Sequence, residues 1–265
     1  MFDNYKILII SKKEKSERKR FQNNQAKKYN LKIQYLDAVT PDTMPKEIFN
    51  KYKNSWARPL RDNEVACTYS HMLAWKKVLD WNVPTLILED DAVLCSSIKI
   101  ILEGVSIIKG EDYLQFETFN AEKLLSKSCT KLKISNYCLH ILHRDRGGSA
   151  AYFVFPNGAK KLISSLKKSY PPSDAAIHLA PGIKRLQIVP AAAVQIMNLT
   201  TKQKKSLNIK TLMKSMISNE PKPPYSSKLR WCIHKSKRLM ISFKLFYRII
   251  FAKKSHYLLL KFSEK

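Results

Sequence analysis

The sequence predicts an α/β protein built around a central, mostly parallel sheet. Two observations support this prediction. Apolar runs of strand length alternate with helix-length segments over most of the chain, and the chain opens with a strand, a helix and a second strand. A β-α-β order favours parallel strands joined by crossover helices. The length of 265 residues suits one large domain, or one domain with an appendage.

The first three elements are read directly from the pattern. A buried strand is predicted at "YKILII" (5–10), a largely charged surface helix from about Lys12 to Tyr29, and a second strand at "KIQYLDAV" (32–39). Ser11 is placed to cap the helix, and Glu14, three residues later, to complete a capping box.

A long amphipathic helix is predicted over residues 62–81, because its apolar side chains recur at helical spacing. Asp62 is expected to cap it. The remaining elements are a strand ending at Glu89, two strands at Tyr113–Thr118 and Ala151–Phe155, a helix from Pro156, a short helix at "DAAIHL", and a strand at "LQIVP".

Three carboxylates, Glu89, Asp90 and Asp91, follow the apolar run "TLIL" without a break. The carboxyl end of a parallel strand is where α/β sheets bind ligands. Adjacent carboxylates raise one another's pKa, and a divalent cation such as Mg²⁺ or Mn²⁺ relieves that repulsion. Glu89 and Asp91 point the same way along an extended segment, an arrangement suited to a metal-bound diphosphate. The alternative is a solvated acidic turn.

Charge and cysteine usage narrow the class of protein. A formal charge of +27 implies an anionic partner, either nucleic acid or an acidic membrane surface. Five cysteines without a CxxC pair argue against a disulfide framework and a structural zinc site, and favour a reducing compartment. We expect no signal peptide, and no transmembrane helix because no run of about 18 apolar residues occurs.

The segment "NEVACTYSHMLAWKKVLDWNVPTLILEDDAVL" resembles the bacterial family 25 glycosyltransferases of lipopolysaccharide and lipooligosaccharide synthesis. Their pattern is E-x-x-C/A-x-x-S-H, a tryptophan, and a strand ending in EDD. The matching positions are Glu64, Cys67, Ser70, His71, Trp75 and Glu89–Asp91. The resemblance covers roughly residues 5–200 and includes the strand end at Glu117 and the "PPSD" element with Asp174. Ser149, Ala151 and Ser173 depart from the family's usual residues.

The resemblance implies a GT-A-type nucleotide-sugar fold and transfer of a sugar, most often galactose from UDP-galactose, with inversion. Inversion requires a general base that takes the proton of the acceptor hydroxyl. Asp174 is the candidate base, although it is also well placed to cap a helix, and Glu117 is its rival. The implied acceptor-side residues are Gly148, Ser149 and His178, with helix packing or a simple turn as the alternative for each.

The donor side carries the remaining candidates. Asp91 is the first choice as ligand of the divalent metal and Glu89 the second. The predicted nucleotide-sugar contacts are Ser11, Arg18, Glu64, Ser70, His71 and Asp90. Asp90 is also expected to support the turn. A hydrogen-bonded core histidine is the alternative for His71, and a solvated charge is the alternative for Arg18.

Composition changes near Thr200. Residues 201–265 hold 17 Lys or Arg against 2 acids, and Lys235–Lys254 mixes cations with aromatic and aliphatic residues. We predict a GT-A-like catalytic domain at 1–200 and a basic, mainly helical appendage at 201–265. This segment is expected to lie on an anionic membrane surface, placing a cytoplasmic enzyme at the inner face of the inner membrane. A helix that packs on the domain is the alternative.

Two other function classes compete. A nucleic-acid-binding protein is suggested by the charge, but no recognition-helix, RNP or zinc-finger signature is present, so no specific nucleic-acid partner is expected. A membrane-adhering protein without catalytic activity is the other. The leading hypothesis is a metal-dependent glycosyltransferase that uses a UDP-sugar donor and a lipooligosaccharide acceptor.

Overall fold

The computed structural model describes residues 4–14, 17–132, 136–145, 147–207, 209 and 221–262. The helices are α1 (Glu17–Tyr29), α2 (Lys46–Lys53), α3 (Asp62–Trp81), α4 (Ile98–Ser106), α5 (Pro156–Leu166), α6 (Ser173–Leu179), α7 (Thr201–Ser206) and α8 (Lys228–Ile250). The strands are β1 (Lys6–Ser11), β2 (Gln34–Asp37), β3 (Thr85–Glu89), β4 (Ala92–Leu94), β5 (Tyr113–Gln115), β6 (Glu117–Thr118), β7 (Glu122–Lys131), β8 (Cys138–Arg144), β9 (Ala151–Val154), β10 (Arg185–Val189), β11 (Ala193–Gln195) and β12 (Ser255–Leu259).

The predicted α/β class is confirmed, but the prediction of a mostly parallel sheet is wrong. In the part of the chain that the structure describes, nine strands form one sheet in the order β12-β7-β8-β10-β5-β9-β3-β1-β2. Its parallel pairs are β1 with β2, β1 with β3, and β5 with β10. The sheet is mixed because β9 runs antiparallel between β3 and β5, and because β7, β8 and β12 form an antiparallel edge.

The predicted β-α-β start is confirmed, with β1 and β2 parallel and β3 on the other side of β1. Ile10 pairs with Glu89 and Ser11 with Asp37, so the carboxyl ends of these three strands meet at one edge of the sheet. The predicted helix start is wrong. Helix α1 begins at Glu17, and Ser11 lies within β1, where its side chain has a different partner, described below.

Alternating side chains of β1 fill two cores, as the strand period of two requires. Ile7 and Ile9 belong to the core that also contains apolar residues of α4. Leu8 and Ile10 belong to the opposite core, packed against apolar residues of α3, α5 and α6. A smaller sheet with the order β4-β11-β6 extends the acidic edge, and β4 begins immediately after the Glu89–Asp91 turn.

Helix α3 covers the predicted residues, but its first turn is stabilised differently from the prediction. Arg61, not Asp62, occupies the N-cap position. The backbone N–H of Arg61 donates to Oε2 of Glu64 at 2.9 Å. The carboxylate three residues into the helix therefore satisfies the backbone donor at its start, as in a capping box.

The segment after residue 200 is joined to the rest of the structure at several points. Strand β12 pairs antiparallel with β7 and so completes the central sheet. Helix α8 donates hydrogen bonds from His234 to the Trp56 carbonyl, from Lys237 to the Ser55 carbonyl and from Arg248 to the His178 carbonyl, at 2.7, 2.8 and 2.6 Å. Within the described ranges, each helix is too short or too polar to cross a bilayer.

Candidate active site

The central carboxylate of the acidic turn, Asp90, is fully engaged by neighbouring side chains. Ser11 donates to its Oδ2 at 2.8 Å and Arg18 to its Oδ1 at 2.7 Å. Gln22 donates to the carbonyls of Asp90 and Ala92 at 3.1 and 2.8 Å. These bonds fix the turn between β3 and β4, and they balance the charge of Asp90. The expectation that Asp90 supports the turn agrees with this geometry.

Asp91 differs from its neighbour in having little to balance it. The residue is 6% exposed, and its Oδ1 is buried without a hydrogen-bond partner. Its Oδ2 lies 3.9 Å from Arg18, beyond hydrogen-bond distance. Burial and the neighbouring Glu89 charge raise the pKa of Asp91 to about 7. A buried carboxylate oxygen without a hydrogen-bond partner is uncommon in folded proteins, and a bound divalent cation would satisfy it.

Glu89 lies beside Asp91 and is held in its ionised form. Its Oε1 accepts hydrogen bonds from Ser149 Oγ at 2.7 Å and from His71 Nε2 at 3.3 Å. Burial opposes ionisation, but the hydrogen bonds from His71 and Ser149 hold the pKa of Glu89 below its usual value. Two carboxylates, one with an unpartnered oxygen, form a donor set that suits Mg²⁺ or Mn²⁺.

A chain of buried hydrogen bonds orients His71 toward Glu89. Trp75 Nε1 donates to the Tyr152 hydroxyl at 2.8 Å, and that hydroxyl lies 2.9 Å from His71 Nδ1. Because the hydroxyl already accepts from Trp75, its own proton is best directed at Nδ1. The proton of neutral His71 then sits on Nε2 and is donated to Glu89. His71 is fully buried, so it positions the carboxylate.

Cys67, His71 and Glu89 also present donor atoms within 4.8 Å of one another. Burial raises the pKa of the Cys67 thiol far above its usual range, and His71 already uses Nε2 to bind Glu89. Cys67 Sγ also lies 3.5 Å from the Ser173 hydroxyl. These contacts favour a hydrogen-bonded cluster over a second metal site.

Glu117, the rival general base, is buried and protonated at neutral pH. Its Oε2 accepts from the Ala150 backbone N–H at 2.9 Å, while its Oε1 is buried without a partner. Burial and the Glu89 charge raise the pKa of Glu117 to about 8. A carboxylic acid that is 0% exposed is poorly placed to take a proton from an incoming sugar.

The glycine pair before β9 passes very close to two carboxylates. Gly148 has φ +101°, and a Cβ there would lie 2.9 Å from Glu117 Oε2 and 3.0 Å from Gln115 Nε2. A Cβ on Gly147 would lie 3.2 Å from Asp174 Oδ2. Both the backbone conformation and the space at Gly148 require glycine.

Asp174 is half-buried at the first turn of α6. Its Oδ1 accepts from the Ala175 backbone N–H at 2.7 Å, and its Oδ2 faces the glycine pair. The preceding residue, Ser173, lies 3.1 Å from the Ser149 hydroxyl, which in turn binds Glu89. The start of α6 is therefore connected to the acidic turn through two hydroxyl groups, and Ser149 belongs to both sides of the site.

His178 lies behind the glycine loop, where it is 7% exposed. Its Nε2 donates to the Gly148 carbonyl at 3.3 Å, and its Nδ1 is buried without a partner. Burial lowers the pKa of His178, which keeps the imidazole neutral. Its geometry therefore supports the loop, and its contact with the acceptor stays a prediction.

Four residues predicted to contact the nucleotide have hydrogen-bond partners within the protein. The side chains of Ser11 and His71 are buried and bind Asp90 and Glu89. Ser70 Oγ accepts from the Val39 N–H and donates to the Ala66 carbonyl. Glu64 binds Arg58 at 2.6 and 2.7 Å and caps α3. Their polar atoms are already used within the protein, so these residues hold the site in place. Contact of Arg18 with a nucleotide stays a prediction.

Sequence reasoning did not find several residues that the structure brings to the site. Arg58 is held by Glu64, and its pKa is raised by that pair and by the charge of Asp174. Lys123 and Asp145 form a fully buried ion pair at 2.6 Å, and Lys123 also donates to the Glu117 carbonyl at 2.8 Å. Nothing in the sequence distinguishes Lys123 from the other lysines of the polar segment around it, and Arg58 likewise carries no signal.

Comparisons with known proteins agree with the motif. The family model for glycosyltransferase family 25 (LPS biosynthesis protein) matches residues 4–177. A Haemophilus influenzae protein described as "Putative glycosyltransferase" is 27% identical over 174 residues, which is 64% of this chain and 60% of that relative.

Two solved structures also show partial similarity. The similarity to a glycosyltransferase involved in glycosylation of the major capsid of PBCV-1 spans 77% of this chain and 99% of that protein, with 11% identity and a TM-score of 0.40. The similarity to the inositol-1-phosphate CTP transferase from T. maritima spans 77% of this chain and 76% of that protein, with 10% identity and a TM-score of 0.36.

Proposed function

Because this chain belongs to glycosyltransferase family 25, the family of lipopolysaccharide biosynthesis proteins, we propose that it transfers a sugar from a UDP-sugar to a saccharide acceptor. The family resemblance of the acidic motif favours galactose as the sugar and inversion to a β linkage. The observation that carries the proposal is the buried, unpartnered Oδ1 of Asp91 beside Glu89. It lies at the carboxyl ends of β1 and β3, where α/β sheets bind nucleotides.

Asp91 and Glu89 are the residues that would hold a divalent cation, Mn²⁺ or Mg²⁺. When bound, such a cation offsets the charge that develops on the departing diphosphate. Asp90 keeps the turn in shape through Ser11 and Arg18. His71 and Ser149 fix the direction of the Glu89 carboxylate.

Asp174 is the group that we propose as general base. The acceptor oxygen forms a bond to the anomeric carbon, and the bond from that carbon to the UDP β-phosphate oxygen breaks in the same step. The acceptor proton passes to the Asp174 carboxylate. Asp174 is half-buried and adjoins the glycine pair, whereas Glu117 is fully buried and its pKa is raised to about 8.

The proposed acceptor is the saccharide portion of lipooligosaccharide or lipopolysaccharide, presented at the inner face of the inner membrane. Two features support this location. The chain carries a net charge of +27. Helix α8 exposes aliphatic and aromatic side chains together with lysine and arginine. A helix of this kind lies in the headgroup layer of an anionic bilayer.

The test is a panel of UDP-sugars incubated with the full chain and a lipooligosaccharide acceptor, with UDP release as the measurement. We expect release with one UDP-sugar in Mn²⁺ or Mg²⁺ and loss of release in chelator. A thermal shift upon adding UDP and Mn²⁺ together provides a second readout, because a ligand that binds only the folded state raises its stability. Undiminished release in chelator would contradict the metal assignment, and no release with any donor would contradict the proposed transfer.

A further inference from the structure

A second concave site lies on the opposite side of α6 from the acidic edge. It is a groove of 390 Å³ between α6, α8 and the segment around Trp56. This volume is at the lower end of the range for ligand-binding pockets. Its floor is formed by apolar side chains, which include Trp56, Pro171, Ala176, Leu179, Met240 and Ile241.

Three lysines, Lys168, Lys237 and Lys244, line the same groove, and none of its lining residues in the described part of the chain is a carboxylate. Lys237 donates to the Ser55 carbonyl at 2.8 Å, so its ammonium group is held in place. An apolar floor beneath a cluster of cations is complementary to a molecule with a hydrocarbon portion and an anionic head.

The groove is continuous with the outer face of α8. Met240, which lines the groove, is 60% exposed, and the neighbouring Phe243, Phe246 and Tyr247 are exposed by 60–62%. Phe243 follows Met240 by three positions, and Phe246 and Tyr247 follow Phe243 by three and four. The four side chains therefore share one side of the helix. The groove therefore opens onto the same apolar surface that we place in the headgroup layer.

We propose that this groove binds one acyl chain of an anionic phospholipid while α8 lies on the bilayer surface. A free phosphate ion could meet the lysines, but it would leave the apolar floor of the groove uncovered. A second copy of this chain would bring another net charge of +27 to the lysine rim. A phospholipid satisfies both parts of the groove at once, because its acyl chain covers the floor and its phosphate meets the lysines.

The location of the groove connects lipid binding to the acceptor side of the active site. Helix α6 lines the groove with Ala175, Ala176 and Leu179 and carries Asp174 on its first turn. Arg248 of α8 donates to the carbonyl of His178 on the same helix. The inference rests on the proposed membrane location, and it does not depend on sugar transfer.

The test measures lipid binding by the full chain directly. The probe is dihexanoyl phosphatidylglycerol below its micelle concentration, observed by native mass spectrometry, with dihexanoyl phosphatidylcholine as the neutral counterpart. We expect one phosphatidylglycerol per chain and weaker binding of phosphatidylcholine. The double variant Lys168→Glu/Lys244→Glu and the groove-filling variant Ser169→Phe should each weaken phosphatidylglycerol binding by roughly tenfold or more.

The matched control is Lys27→Glu/Lys202→Glu, which makes the same charge change at exposed positions outside the groove. It should bind phosphatidylglycerol like the natural chain. Unchanged binding by Ser169→Phe, with a natural melting temperature, would overturn the proposal. So would equal binding of phosphatidylcholine, displacement by an equal concentration of inorganic phosphate, or a dimer in place of the lipid complex. If the natural chain binds phosphatidylglycerol but releases no UDP from any UDP-sugar, that result would count against the proposed sugar transfer and leave the lipid proposal standing.

Discussion

The acidic edge and helix α8 place opposite charges in opposite environments. At the edge, Glu89 and Asp91 are enclosed and receive hydrogen bonds or remain unpaired inside the protein. On α8, which has no acidic residue, most of the large apolar side chains and several cations are exposed, whereas Lys237 and Arg248 bind backbone carbonyls of the protein. This difference is the basis of the two proposals, a small ligand bound at the edge and an extended anionic surface bound by α8. The net charge of the chain alone conceals this separation.

Asp91 is the residue whose change tests the acidic edge most severely. We expect Asp91→Asn to lower sugar transfer by about 10³-fold or more, because it removes the carboxylate that we propose as the first ligand of the divalent cation. The melting temperature should stay level or rise, since burial and the Glu89 charge disfavour the ionised form of Asp91. UDP release and a thermal melt measure both effects. Asp80→Asn, at an exposed position of α3, is the matched control and should be fully active.

Amide substitutions of the two acceptor-side carboxylates, Asp174 and Glu117, should lower kcat to clearly different extents. We expect Asp174→Asn to reduce kcat by about 10²–10⁴-fold, the range for a lost general base. Glu117→Gln should cost far less, because glutamine keeps the Ala150 hydrogen bond and resembles the protonated acid. A larger loss in Glu117→Gln than in Asp174→Asn would reverse the assignment of the base.

Changing the outer face of α8 should affect surface binding without affecting the edge. Phe243→Glu/Phe246→Glu places two acids on the exposed apolar face, and we expect its affinity for phosphatidylglycerol vesicles to fall by roughly tenfold or more. Hydrolysis of the UDP-sugar in free solution should be unchanged. Vesicle sedimentation and UDP release measure these separately. Equal sedimentation of the variant and the natural chain would remove α8 from the membrane contact.

Asn substitutions of the adjacent residues Asp90 and Asp91 should change the free energy of unfolding in opposite directions. Asp90→Asn weakens the hydrogen bonds that Ser11 and Arg18 donate to the carboxylate, so it should lower the free energy of unfolding by about 1–3 kcal/mol. Urea unfolding of the two variants beside the natural chain provides the measurement. If Asp91→Asn is destabilised and Asp90→Asn is not, the assignment of Asp90 as the supporting carboxylate and Asp91 as the ligand-binding one is wrong.

The smallest expected effect concerns the pH dependence of stability. The pKa of Glu117 in the folded protein is about 8, above its usual value, so the folded state retains a proton that the unfolded state loses. Its contribution to stability is therefore present at low pH and falls as pH rises toward 8. Between pH 5 and pH 8.5, the natural chain should lose about 1 kcal/mol or more relative to Glu117→Gln in urea unfolding.

The sequence predicts the elements with strong periodicity and misses those without it. Strand β3 and helix α3 match their predicted bounds, because an unbroken apolar run and a helical repeat are local signals. The β7–β8 pair was not predicted, since the second half of β7 is exposed and rich in polar residues. The antiparallel edge that it forms depends on contacts between distant segments, which no single run of residues reveals.

The candidate site shows the same limit. Its carboxylates were identified because three adjacent acids in a lysine-rich chain are conspicuous. The residues around them were assigned to ligand contact, whereas Ser11, Ser70 and His71 turn their polar atoms toward the protein. A sequence records which residues can form hydrogen bonds, and the direction in which they do so is set by tertiary packing.

Strand β12 has a consequence for how the molecule meets a surface. Helix α8 is bonded to the Ser55–Trp56 backbone near its beginning, and soon after its end the chain enters the central sheet through β12. An attachment on both sides prevents the helix from swinging as a tether would. If α8 rests on a membrane as proposed, these two attachments would fix the orientation of the central sheet relative to that membrane.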